Sequence, residues 1–146
     1  MALHHPSRVL VVDDDDDLRE NVVECLEGKG FTCWSASSAD GAVALLARGG
    51  VSPDLILTDL SMPGLDVGHF LAFLNGTPAT AGVPVLVMTG VSEQHYPIWL
   101  DRAIVLEKPF NVATLLSAAS MAISDRHRRL GLGADGTSTV RLAVAQ

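Results

Sequence analysis

The sequence predicts one α/β domain in which helices cover both faces of a parallel β-sheet. Segments with the pattern of strands alternate with segments of helical periodicity along the chain. Two of the strand segments, "RVLVV" and "VPVLVMT", are almost entirely apolar, which is typical of strands that are buried on both faces. A length of 146 residues is that of a single ordinary domain. We therefore expect a doubly wound fold.

The apolar periodicity defines each element in turn. The predicted strands are residues 8–12, 31–35, 54–58, 83–89 and 103–107. Helical spacing follows the first strand and recurs in residues 39–48, around residues 70–74 and in residues 111–129. Gly28 and Gly30 end the first helix, and Asn111 caps the last one. Residues 92–101 can form a short helix at most, because Pro97 interrupts them.

The predicted domain spans residues 8–129. Residues 1–7 form an N-terminal extension, and residues 130–146 form a C-terminal tail that is too short for a second domain. Its closing "TVRLAVAQ" alternates like a half-buried strand. We nevertheless expect a mobile tail, because chain ends are often not held by the fold.

Composition narrows the setting and the partners. The net charge of −7 argues against direct contact with nucleic acid, which requires a basic surface. No apolar run is long enough to cross a membrane, and the N-terminus lacks the features of a secretion signal. Cys25 and Cys33 lack the spacing of a metal or redox motif. We expect two reduced thiols in a cytoplasmic protein without membrane contact.

Polar side chains end or directly follow four of the predicted strands. They are Asp13 and Asp14, Asp59, Thr89 and Lys108. Because the carboxyl ends of parallel strands meet at one edge of the sheet, we expect these side chains to share a crevice. Crowded carboxylates repel one another, and a hard cation such as Mg²⁺ relieves that repulsion through oxygen ligands.

The run of five aspartates at residues 13–17 serves two purposes in this interpretation. Asp13 and Asp14 help to hold the metal, whereas Asp16 and Asp17 favour the positive end of the first helix dipole. Asp15 fits the helix start as well, but its spacing leaves a role at the metal open.

Asp59 is the candidate nucleophile of this crevice. A carboxylate beside a metal and an ammonium group can attack phosphorus and form an acyl phosphate. The metal and Lys108 would offset the charge on the phosphoryl oxygens. Thr89 could donate a hydrogen bond to the phosphoryl group once it is attached.

The motifs "VLVVDDD", "PDLILTDLSMPGLD", "VPVLVMTG" and "LEKPF" resemble those of the receiver domains of two-component response regulators. The resemblance covers roughly residues 8–127. It implies a flavodoxin-like (βα)5 fold with a five-stranded parallel sheet in the order 2-1-3-4-5.

The resemblance also assigns roles to single residues. It implies that Asp59 is the phosphoacceptor, that Asp13, Asp14, Asp59 and the backbone carbonyl of Ser61 bind Mg²⁺, and that Thr89 and Lys108 contact the phosphoryl group. A cis peptide bond to Pro109 would position Lys108.

The implied function is signalling rather than turnover of a separate substrate. A histidine kinase or histidine phosphotransfer protein would supply the phosphoryl group, and an unknown downstream protein would read the result. The domain would stand alone or come from a hybrid kinase.

The sequence departs from the family near the expected output surface. Val105 occupies a position where the family often carries a switching Tyr or Phe, and the segment between Thr89 and Lys108 is short. Rearrangement of residues 90–102, with Trp99 as the reporter, is the switch that we expect in place of a rotating ring at position 105.

Three alternatives remain. A metal-dependent phosphohydrolase would use Asp59 as its nucleophile, but "DLS" provides no second carboxylate. A flavin- or nucleotide-binding module would need a glycine-rich phosphate loop after the first strand. A degenerate receiver that acts through protein contacts alone would not need the full set of site residues.

Overall fold

A computed structural model describes residues 7–60, 67–90, 104–132 and 141–142. The strands are β1 (Arg8–Val12), β2 (Thr32–Ala36), β3 (Leu55–Asp59), β4 (Val85–Thr89), β5 (Ile104–Glu107) and β6 (Arg141–Leu142). The helices are α1 (Asp16–Glu27), α2 (Ala39–Ala47), α3 (Val67–Gly76) and α4 (Val112–Leu132). All described strand pairs are parallel, and the sheet order is β2-β1-β3-β4-β5-β6. The predicted order 2-1-3-4-5 is therefore confirmed.

The helices cover both faces of the sheet, as predicted. On one face α1 and α4 pack against alternate strand residues such as Val11, Leu57 and Met88. On the other face α2 and α3 pack against the intervening residues, among them Leu10 and Ile56. Strands β1, β3 and β4 are mostly apolar, because their residues face one or the other of these two helical layers.

Strand β2 begins one residue later than predicted because the N–H of Phe31 is used by the turn that follows α1. This N–H donates to the carbonyl of Leu26 at 3.1 Å. The chain makes this turn through Gly30, whose φ of 95° is unfavourable for any residue with a Cβ. Thr32 is then the first residue that pairs with β1.

The last helix starts with the predicted cap. Asn111 Oδ1 accepts a hydrogen bond from the N–H of Thr114 at 2.8 Å, which satisfies one of the unpaired donors in the first turn. The helix continues to Leu132, beyond the predicted end at Arg129. None of the described helices, α4 included, has a stretch that is long and apolar enough to cross a bilayer.

An ion cluster joins three elements at the amino ends of the strands. The Asp54 carboxylate accepts a hydrogen bond from the N–H of Arg8 at 2.8 Å and lies 3.6 Å from the guanidinium of Arg126 on α4. The Arg8 guanidinium is also 3.6 Å away. This cluster fixes the start of β1 and the second half of α4 at the edge of the sheet opposite Asp13 and Asp59.

Two residues of the C-terminal tail pair with the last predicted strand. Arg141 pairs with Val105, and Leu142 pairs with Leu106, in a parallel register that adds β6 to the predicted five strands. The alternation in the tail sequence had indicated this strand.

The segment that we expected to rearrange on phosphorylation, residues 90–102, lies outside the described residues except for Gly90. Its expected reporter, Trp99, therefore lies outside them too.

Candidate functional site

The predicted site residues lie at the carboxyl ends of four neighbouring strands. Asp13 follows β1, Asp59 and Thr89 are the last residues of β3 and β4, and Lys108 follows β5. Parallel pairing brings these ends to one edge of the sheet, so residues far apart in sequence meet there.

Three carboxylates form an acidic cluster at this edge. Each of Asp13, Asp14 and Asp59 has an oxygen within 4.8 Å of an oxygen of the other two. Asp13 is fully buried and Asp59 is 6% exposed, whereas Asp14 is exposed. The cluster thus has a buried base and an open side.

Asp13 is held firmly, yet one of its oxygens is unsatisfied. Its N–H donates to the carbonyl of Ala36 at 3.1 Å, and its Oδ1 accepts from the N–H of Asp15 at 2.9 Å. Its Oδ2 is buried and has no hydrogen-bond partner among the described residues. Burial raises the pKa of Asp13, and the nearby charges of Asp59 and Asp14 raise it further, against the lowering effects of the Asp15 N–H and Lys108.

Lys108 reaches two of the three carboxylates. Its Nζ donates to Asp59 Oδ2 at 3.2 Å and lies 3.8 Å from Asp13 Oδ2. Its backbone N–H donates to the carbonyl of Thr89 at 2.7 Å, which fixes the loop after β5 against β4. The Lys108–Pro109 peptide bond is cis, as the family resemblance implied.

The remaining predicted residues differ in what the structure shows. Thr89 is fully buried beside the end of β3, since Asp59 pairs with Met88 in the sheet. The N–H of Leu60, the residue after Asp59, donates to the carbonyl of Met88 at 2.9 Å and keeps the end of β3 in register with β4. Ser61, the expected carbonyl ligand, lies outside the described residues.

Asp15, for which the sequence left two roles open, is the N-cap of α1. Its Oδ1 accepts a hydrogen bond from the N–H of Leu18 at 3.1 Å. Asp16 and Asp17 occupy the first turn, where their charge favours the helix dipole. Asp15 lies outside the group of carboxylates that come together at the strand ends.

One residue near the site was not identified from the sequence. The Arg19 guanidinium donates from Nη1 to the carbonyl of Asp13 at 2.8 Å and contacts Asp16 Oδ1 from Nη2 at 2.7 Å. The spacing of Asp16 and Arg19 is the i,i+3 spacing of helical ion pairs, and this was the available signal. The contact with Asp13 could not be read from that spacing.

The cluster has the properties of a site for a hard cation. It offers oxygen ligands from three side chains, one of which has a buried oxygen without a hydrogen-bond partner. Mg²⁺ prefers oxygen ligands of this kind, and the three carboxylates already lie within 4.8 Å of one another. The residues present therefore fit this ion.

Comparison with known proteins identifies relatives among regulators. The chain is 38% identical over 86 residues to the DNA-binding response regulator MtrA of Mycolicibacterium smegmatis, which covers 59% of this chain and 36% of MtrA. It is 32% identical over 147 residues to the phosphate regulon transcriptional regulatory protein PhoB of Escherichia coli, covering 90% of this chain and 61% of PhoB. The chain thus spans less than two thirds of either relative.

A solved structure agrees with the fold over most of the chain. The crystal structure of NtrX from Brucella abortus in complex with ADP superposes with a TM-score of 0.77 at 26% identity. The match covers 92% of this chain and 31% of NtrX.

These relatives correct the expectation of partners without nucleic acid. MtrA is a DNA-binding regulator and PhoB is a transcriptional regulatory protein. The charge argument was wrong because the net charge of −7 belongs to this chain, whereas a relative that is much longer can carry its basic surface elsewhere.

The family itself follows from the match over the folded part of the chain. Residues 9–120, which contain the acidic cluster, Thr89 and Lys108, match the family profile of the response regulator receiver domain. The sheet order and the position of the acidic cluster at the strand ends agree with that match. The chain therefore belongs to the response regulator receiver domains, which are phosphorylation-dependent signalling modules of two-component systems rather than conventional enzymes.

Proposed function

We propose that this chain accepts one phosphoryl group on Asp59 in a reaction that depends on Mg²⁺. The observation that carries the proposal is that the Asp59 carboxylate contacts the Lys108 ammonium group, at 3.2 Å, and also belongs to the acidic cluster. A carboxylate beside both an ammonium group and a cation site is suited to attack an anionic phosphoryl group, because both neighbours reduce charge repulsion.

The proposed reaction transfers a phosphoryl group from a histidine nitrogen of the donor to a carboxylate oxygen of Asp59. An Asp59 carboxylate oxygen attacks the phosphorus of a phosphohistidine, the P–N bond breaks, and the imidazole leaves with the electron pair. The product is an acyl phosphate on Asp59. Lys108 moves from the Asp59 oxygen toward the new phosphoryl oxygens, and the Thr89 hydroxyl donates to another of them.

Asp13, Asp14 and Asp59 would hold the Mg²⁺ together with the backbone carbonyl of Ser61. The ion would supply positive charge that offsets the charge on the phosphoryl oxygens in the transition state. Asp13 and Asp59 are buried and Asp14 is exposed, so the proposed site is anchored on the sheet and open to solvent on one side.

The phosphoryl donor in this proposal is a histidine kinase or a histidine phosphotransfer protein, and the location is the cytoplasm. Membership of the receiver family supports the donor. The thiols of Cys25 and Cys33 are both unpaired, which supports a reducing compartment. The domain boundaries that we propose for the receiver unit are residues 8–129, with α4 continuing three residues further.

Intact-mass measurement tests the phosphoacceptor. With acetyl phosphate and Mg²⁺, we expect one phosphoryl adduct in the parent chain and none in Asp59→Asn. EDTA should abolish the adduct in the parent. An equal adduct in Asp59→Asn would exclude Asp59, and sustained release of phosphate from organic phosphate esters would favour the phosphohydrolase alternative.

A further inference from the structure

Arg19 connects the start of α1 to the loop that carries two of the clustered carboxylates. Its side chain is 15% exposed, which is low for an arginine on a helix surface. Nη1 donates to the carbonyl of Asp13 at 2.8 Å, and Nη2 contacts Asp16 Oδ1 at 2.7 Å. The planar guanidinium therefore joins a backbone oxygen and a side-chain oxygen in one fixed arrangement.

The carbonyl that Arg19 binds belongs to the peptide unit between Asp13 and Asp14. The orientation of that unit determines where the backbone of Asp14 lies relative to Asp13, because the peptide unit is planar. The Asp13 N–H donates to the carbonyl of Ala36, and Asp13 Oδ1 accepts from the N–H of Asp15. Arg19 adds a contact at the Asp13 carbonyl to those that hold this loop.

We propose that Arg19 is a positioning residue for the metal-binding carboxylates of Asp13 and Asp14. This inference rests on the proposed function, since it assigns the acidic cluster to Mg²⁺. Arg19 acts on the cluster through the Asp13 carbonyl, and its partner Asp16 holds the guanidinium in place from the first turn of α1.

Charge and geometry predict opposite effects for substitutions of Arg19. If the guanidinium acted by charge alone, removing it would tighten cation binding, and replacing it with lysine would change little. If it acts by fixing the peptide unit, both changes weaken binding, because neither side chain joins the two oxygens as a planar fork.

The first test is the Mg²⁺ affinity of Arg19→Lys and Arg19→Gln, measured by calorimetric titration well below the melting temperature. We expect the dissociation constant to rise about tenfold in both variants, as for other residues that orient metal ligands. Arg48→Gln, at the exposed C-cap of α2, is the matched control and should bind like the parent. Unchanged affinity in Arg19→Lys with tighter binding in Arg19→Gln would overturn the proposal.

The second test needs no metal. Amide exchange in EDTA should be several-fold faster at Asp15 in Arg19→Lys, because the Asp15 N–H donates to Asp13 Oδ1 in the loop that Arg19 holds. Unchanged exchange at Asp15 would refute the positioning role even if the parent binds Mg²⁺. Conversely, if exchange at Asp15 is faster in Arg19→Lys but the parent does not bind Mg²⁺, the positioning role is retained and the proposed metal site is rejected.

Discussion

Lys108 Nζ lies 3.2 Å from Asp59 Oδ2, although 49 residues separate the two in sequence. The contact exists because β3 and β5 flank β4 and end at the same edge of the sheet. The Lys108 backbone is fixed by its hydrogen bond to the carbonyl of Thr89. The ammonium group is therefore in place at the candidate phosphoacceptor before any phosphoryl group arrives.

Replacing Lys108 with alanine should slow the phosphorylation of Asp59. The variant loses the positive charge that offsets charge on the transferring group, and one such interaction typically changes a rate by on the order of 100-fold. The initial rate with acetyl phosphate and saturating Mg²⁺ measures the effect. Lys29→Ala, at an exposed position after α1, is the control, and an equal loss in that variant would contradict the assignment.

Mg²⁺ should raise the melting temperature of the parent and raise it less in Asp14→Ala. A ligand that binds the folded state stabilises it by mass action, so the shift at a fixed Mg²⁺ concentration reports affinity. At about 100 times the dissociation constant, the parent should gain about 2.7 kcal/mol. Asp17→Ala is a control of equal charge, because Asp17 lies outside the clustered carboxylates. Equal shifts in all three proteins would show that Asp14 is not a ligand.

Asp13→Asn should stabilise the protein at neutral pH when EDTA removes divalent cations. Burial raises the pKa of Asp13 above its ordinary value of 3.8, so the folded state binds this proton more tightly than the unfolded chain does. Ionising Asp13 therefore costs stability as the pH rises from 3.8 through the raised pKa. We expect a gain in melting temperature of about 3 °C at pH 7.

The gain from Asp13→Asn should disappear at low pH, because Asp13 of the parent is then protonated in both the folded and the unfolded state. Thermal melts of parent and variant across the acid range check this dependence. A gain of the same size below pH 3.8 would mean that the effect does not come from the ionised carboxylate. Saturating Mg²⁺ should reverse the order at pH 7, because the variant loses a ligand.

Asp54→Ala should destabilise the fold without changing the phosphorylation chemistry. The substitution removes the carboxylate that accepts from the Arg8 N–H and that pairs with the guanidinium groups of Arg8 and Arg126. This network lies at the edge of the sheet opposite Asp59. Losing such a partly buried network costs about 1–3 kcal/mol. Urea denaturation measures the loss, and the rate with acetyl phosphate at low temperature should match the parent. A slower reaction in the folded variant would show that the two edges are coupled.

Much of the fold and of the site could be predicted because buried parallel strands leave a strong apolar pattern. Residues 8–12 were predicted with their observed boundaries, and the polar residues after each strand followed from the shared sheet edge. The start of β2 was wrong by one residue, because Phe31 N–H is used by the turn after α1. That hydrogen bond depends on the conformation of Gly30 rather than on hydrophobicity.

Contacts between different elements of the fold were harder to predict than the elements themselves. Arg19 has helical spacing from Asp16, but its contact with the Asp13 carbonyl joins α1 to the loop after β1, which spacing within the helix does not reveal. The pairing of Arg141 with Val105 depends on access to the edge of β5, which a local pattern does not reveal.

Strand β6 changes what the sheet can offer to another chain. An edge strand presents backbone donors and acceptors that can pair with a strand from a second molecule. Along Val105 and Leu106, a segment of the same chain occupies that position. Association by strand addition at this place would first have to displace Arg141 and Leu142, whereas β2 is the terminal strand at the other side of the described sheet. The pairing of residues 141–142 with β5 therefore competes with one route of self-association.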